Sequence, residues 1–97
     1  MFDLPVDTPQ HRKEYTDFRK FLMKDGFDML QFSVYSRICP NADAADTHLK
    51  RIRSIAPRRG SVRAMMITNK QFSEAEILTG DKKPQEKKVT EEQLLLF

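Results

Sequence analysis

The chain is short of nearly everything that marks an enzyme by eye. It has one cysteine, Cys39, so it holds no internal disulfide framework, and a free thiol suits a reducing cytoplasm. CxxC, HExxH and Gly-rich phosphate-loop motifs are all missing, which removes the usual redox, zinc-hydrolase and P-loop readings. No apolar run approaches the roughly 18 residues of a membrane span. No basic-then-apolar leader opens the chain, and no internal repeat is seen. A cytoplasmic protein with no membrane partner is expected. The last absence is of one sign of charge: from Thr47 to Ser73 there is no acid.

What is present fits one small, rather polar domain of 97 residues, 39% hydrophobic and 32% charged, for which pairing with a second copy would hide apolar surface. The net charge of +3 is unevenly spread. Residues 1–40 carry six Lys/Arg against six Asp/Glu, residues 41–70 seven against two, and residues 71–97 four against six. A basic middle between a balanced front and a slightly acidic tail points to an anionic partner for one face.

Short apolar runs and helix signals alternate along the chain. MFDLP reads as a short strand stopped by Pro5. Thr8 as cap and Pro9 at the first helical position open a helix that carries Tyr15, Phe18, Phe21 and Leu22 at helical spacing, and Gly26 stops it. FDMLQFSVYSRIC is β structure, either one bent strand or two short ones around Gln31 to Ser33. Asn41 caps a second helix with the stripe Ala42, Ala45, Leu49, Ile52, Ala56, and Pro57 ends it. SVRAMMIT reads as one buried strand, Asn69 to Phe72 as a helical turn, and EAEILTG as another short strand. DKKPQEKK is a polar linker before the apolar ending LLLF. This order predicts an α+β, ferredoxin-like βαββαβ antiparallel sheet with both helices on one face, spanning residues 1–80. Residues 81–97 are expected to be a linker and an appended strand. The bare sheet face predicts a homodimer.

Few residues offer chemistry. His11 and His48 stand isolated in sequence and read as surface helix residues. Cys39, Met65 and Met66 read as packing residues, and Ser33 as a strand serine bonding its neighbour's backbone. Asp3 stands apart, a carboxylate between Phe2 and Leu4. Alternation turns it away from both, onto a solvated face or a strand-end site that wants negative charge. One carboxylate does not hold a catalytic Mg2+ ion, but a twofold axis near that strand end would supply two. Lys50, Arg51, Arg53, Arg58, Arg59 and Arg63 lie within fourteen positions without an acid among them. Point charges without interleaved aromatics suit a phosphate backbone more than base readout, and a solvated basic face is the equal alternative.

Together, MFDLP, the pattern R-K-x-Y-x-x-F-R-K-F-L from Arg12 to Leu22, GFDMLQFSVYSRI and TNKQF resemble the CRISPR-associated Cas2 family, in the flavour found beside the Cas9 effector of type II systems. The likeness runs from Met1 to about Gly80, and QFSVYS is its most specific piece. It implies a ferredoxin-like homodimer in spacer acquisition, bridging two dimers of the Cas1 integrase and holding the middle of a duplex protospacer. It also implies a Mg2+-dependent endonuclease whose strand-end aspartate, by motif match, is Asp3, with Tyr35 nearby. Expected DNA contacts are Arg12, Lys13, Arg19, Lys50, Arg53, Arg58 and Arg59. Leu94, Leu95, Leu96 and Phe97 are expected to add a strand to the partner protomer or to the integrase, reaching it on a tether from Lys82 to Lys88. Strand one departs from the family in having only Met1 and Phe2 before the aspartate; either the reading frame begins upstream, where an in-frame extension is expected to lengthen the strand, or the protein tolerates a short one. Two other classes compete: a stand-alone Mg2+-dependent nuclease, and a toxin-like or regulatory ferredoxin-fold module that binds RNA or protein.

Overall fold

The computed structural model describes residues 1–80 and 93–97. Helix α1 (Pro9–Lys24) begins where the sequence says it should, with the Thr8 hydroxyl accepting from the His11 N–H and Pro9 at the first position. It buries Phe18 and Leu22. Helix α2 (Ala42–Ile55) is capped by Asn41, whose side chain accepts from Ala44 N–H, and buries Ala45 and Ile52. Between them the β segment resolves into two strands, β2 (Asp28–Gln31) and β3 (Val34–Cys39). Ser33, at φ 63°, makes the turn, and Phe32 stands 79% exposed at its tip. Ser33 is therefore not the strand serine expected.

Strand β1 is Phe2–Asp3. It pairs antiparallel with β4 (Ser61–Val62), Phe2 opposite Val62 and Asp3 opposite Ser61, and the Phe2 N–H donates to the Ser33 carbonyl. β5 (Met66–Thr68) lies further along the same stretch, so SVRAMMIT is two short strands, not one. Nor is it buried: Met65 and Met66 are about half exposed, since each strand sits on a sheet edge. A short helix α3 (Asn69–Ser73) follows with a full Thr68–Gln71 capping box. EAEILTG forms no strand, and Ile77 and Leu78 are exposed.

The largest departure is the tail. β6 (Leu94–Leu96) pairs within its own chain, antiparallel to both β3 and β5, in a sheet of order β2-β3-β6-β5. Leu95, Leu96 and Phe97 are buried. The segment expected to pair with another protein is placed here within its own chain. The physical reason is the shortness of β1. In the ferredoxin-like order the first strand runs between the third and the last, and here residues 94–97 lie in line with residues 1–3 in that central lane. Phe97 exchanges two backbone hydrogen bonds with Met65, and Met1 is bonded to Arg63 two residues on. Leu96 completes the core of Phe2, Leu4, Phe18, Leu22, Phe27, Tyr35, Cys39, Ala45 and Ile52. The expected linker from Lys82 to Lys88 lies outside the described residues. No helix among the described residues is long and apolar enough to cross a membrane.

Gly26 has a reason beyond ending α1. Its φ is +92°, and the Arg37 guanidinium occupies the place a Cβ would take. Gly26→Ala would impose left-handed strain of about 1–3 kcal/mol and push Arg37 off its partner. A drop in Tm of roughly 5–20 °C is expected, and an unchanged thermal melt would show that the turn relaxes freely.

A candidate nucleic-acid interface beside a strand-end carboxylate

β1 separates the two residues expected to work together. Phe2 packs inward, stacked on the Tyr35 ring at 5.6 Å and edge-on to Phe18 at 5.1 Å. Asp3, next along the strand, turns the other way and is exposed. Tyr35 is 3% exposed on the helix side, and its hydroxyl accepts from Arg19 Nε at 2.7 Å. Within one chain the structure therefore does not bring Asp3 and Tyr35 together. Tyr35 holds β1 in place by packing, and Arg19 is tied to it.

The turn Arg58-Arg59-Gly60 does come to Asp3. Gly60, at φ +84°, lies so close that a Cβ there would stand 2.5 Å from the Asp3 carbonyl oxygen. Only glycine lets the chain pass, and the pairing of Ser61 with Asp3 follows at once. An exposed carboxylate at a strand end thus has two arginines in the adjoining turn. The turn also lines an open cleft of about 590 Å3 together with Phe18, Phe21, Ile55, Glu14 and Asp17. Those two carboxylates argue against a phosphate inside the cleft, so the arginines would meet one on their outer side.

Three of the remaining expected contacts have partners of their own. Arg12 donates to the Val6 carbonyl, Lys13 pairs with Asp17 at 3.4 Å, and Lys50 with Asp46 at 3.1 Å. Both lysine pairs are exposed i,i+4 pairs, too weak to withhold a lysine from phosphate. Arg53 is exposed on α2. The acid-free stretch is not acid-free in space: Asp46 precedes it, and Asp25 from the end of α1 takes Arg51 at 2.9 Å.

Sequence reasoning missed the histidines. Neither is an isolated surface residue; each side chain is 12% exposed and bridges a carboxylate to an arginine. His48 Nδ1 lies 2.7 Å from Asp25, and its Nε2 accepts from Arg37 Nε at 2.9 Å. His11 Nδ1 lies 2.7 Å from Asp7, and Arg59 reaches its Nε2 at 2.7 Å. The Asp7–His11 spacing of four was legible as a helix-start pair. The other partners come from distant segments and left no local signal. Cys39 is fully buried and its thiol is pushed up chiefly by that burial, which fits packing, not nucleophilic attack.

No group of three or more His, Cys, Asp or Glu that could hold a metal ion occurs among the described residues. One exposed Asp3 does not fit a Mg2+ ion by itself, so the described residues of a single chain do not build that site.

These features define a class: a small α+β domain with antiparallel strands in ferredoxin-like order, an exposed strand-end aspartate and an arginine turn beside it. The profile of the family described as CRISPR associated protein Cas2 matches residues 1–75. The chain is 49% identical over 96 residues to a CRISPR-associated endoribonuclease Cas2 of Acidovorax ebreus, covering 99% of this chain and 94% of that one. A protein of the same description from Parvibaculum lavamentivorans is 47% identical, covering 100% and 95%. One from Streptococcus mutans is 42% identical over 82 residues, covering 84% and 77%. The chain belongs to the Cas2 family.

Proposed function

We propose that this chain serves CRISPR spacer acquisition as a dimeric adaptor of the type II flavour, bridging Cas1 integrase dimers and holding duplex protospacer DNA by its phosphates. The observation that carries the DNA part is the Arg58-Arg59-Gly60 turn packed on the Asp3 end of β1. Burial of exposed apolar side chains such as Phe32 at 79% and Met29 at 46%, both on the β2–β3 hairpin, would favour a dimer. Sedimentation of the chain alone and with the integrase tests both halves. A monomer that ignores the integrase would end this reading.

The relatives' description as endoribonucleases favours a second reading, a Mg2+-dependent endonuclease acting on phosphodiester bonds. Its ion would need Asp3 from two copies, because the described residues of one chain do not supply a sufficient ligand set. A bound ion there would polarise a phosphate oxygen and activate water. Asp3→Asn is expected to abolish Mg2+-dependent cleavage while leaving Tm and duplex binding intact, since the side chain is exposed. Cleavage that survives the change would belong to a contaminant or to another site.

A further inference from the structure

The ring of His11 is held at both nitrogens, and the chemistry of the two partners fixes its state. The Asp7 carboxylate only accepts, so Nδ1, 2.7 Å away, must carry the hydrogen. The Arg59 guanidinium only donates, so Nε2, 2.7 Å away, must offer its lone pair. A neutral imidazole protonated at Nδ1 is the one form that satisfies both. Free histidine prefers the other tautomer, with the hydrogen on Nε2, so the two contacts together impose an uncommon form. The ring's 12% exposure limits water as a substitute partner. The hydrogen bond from His11 also holds the Asp7 carboxyl below its ordinary range, although that carboxylate is itself exposed.

We propose that Asp7 and His11 are positioning residues for nucleic-acid binding, a relay that aims Arg59 at phosphate and lets it go when His11 takes a second proton. The inference rests on the reading of the Arg58–Arg59 turn as a backbone contact. One N–H of Arg59 goes to His11, and among the described residues the remaining four have no partner, held in a fixed fork. Holding a long side chain in advance removes part of the ordering cost that a phosphate contact otherwise meets. Protonation turns Nε2 into a donor facing a cation, and the contact breaks. The groups that bear on this titration come from three elements. The loop before α1 brings Asp7, the turn after α2 brings Arg59 with Arg58 beside it, and α1 itself brings Glu14 and Tyr15 one turn on. The His48 relay has the same order of groups, Asp25–His48–Arg37, but joins α1, α2 and β3 inside the fold, and so serves as an internal comparison.

Two variants separate the nitrogens. Glutamine places its amide near the position of Nε2 and keeps an acceptor for Arg59, whereas asparagine reaches only as far as Nδ1 and keeps the Asp7 side alone. Nitrogen NMR of the full chain without DNA should show His11 as the Nδ1–H tautomer. The Arg59 Nε–H signal should move together with the His11 titration in the natural chain, and should not titrate in His11→Gln. Against a random-sequence duplex at pH 8, His11→Asn should lose about two- to tenfold in affinity, the ordering cost of one side chain, and His11→Gln should recover most of it. Thermal melts confirm that both variants fold. An Nε2–H tautomer at His11, or an Arg59 signal indifferent to its titration, overturns the relay. His11→Asn binding as tightly as the natural chain overturns its role in binding. If charge reversal at Arg58 and Arg59 leaves binding untouched, the backbone reading itself fails, and the tautomer measurement alone judges the relay.

Discussion

Removing residues 94–97 is expected to unfold the domain. β6 fills the central lane of the sheet, bonded to β3 on one side and β5 on the other, and β5 has β6 as its neighbour in the sheet order. Without β6, β5 and the α3 helix that follows it lose their attachment. Leu96 is fully buried in the helix-side core, and Phe97 meets Phe72 of α3 at 5.4 Å between ring centroids. Burying such side chains contributes roughly 1.5–3 kcal/mol apiece. Three of them therefore approach the about 5–15 kcal/mol that holds a small domain together. Leu96→Ala is the graded version and should cost about 2–5 kcal/mol. Far-UV circular dichroism and a thermal melt of the shortened chain decide the matter. A cooperative melt near the original temperature would mean that the lane can stand empty.

The tail also shows where the sequence was readable and where it was not. Helix starts were legible because their causes are local: Thr8 with Pro9, and Asn41, each act within four residues. The strands around Ser33 were left open between one and two, since what decides it is a single residue at positive φ, and serine does not announce that as glycine does. LLLF was legible as an appended apolar strand, but its destination depended on a vacancy elsewhere in the sheet. A two-residue β1 leaves most of a central strand's hydrogen bonds unmade, and no local pattern at residues 94–97 encodes that. The site divides in the same way. Asp3 at a strand end was readable from alternation alone. That the Arg58–Arg59 turn would meet it required the β1–β4 pairing, and that His48 would find Asp25 and Arg37 required the packing of three elements. Within one chain Tyr35 lies on the helix side, away from Asp3, because register and not motif proximity sets which face of a sheet a side chain takes.

Reversing the charge of Arg58 and Arg59 together should weaken duplex binding at every sequence, and by more than any other pair of basic residues. The argument turns on which cations are free to act. Arg19 is committed to the Tyr35 hydroxyl, Arg51 to Asp25 and Arg37 to His48, so changes there would disturb the fold before they touched DNA. Lys13 and Lys50 share their charge with carboxylates one turn away, Asp17 and Asp46. Arg58 and Arg59 are exposed together, on a turn fixed by Gly60 against β1, and the one N–H that Arg59 gives to His11 leaves the rest of its guanidinium facing outward. A phosphate contact releases counterions and raises the salt dependence of binding by close to one unit of slope, so losing two should lower that slope by about two. Lys50 with Arg53, reversed in the same way, should give a smaller change. Affinity measured across a salt series for the two double variants, with a melt to confirm folding, makes the comparison. Equal losses from both pairs would spread the contact over the whole basic face, and no loss from either would return Arg58 and Arg59 to the solvent as an ordinary charged turn.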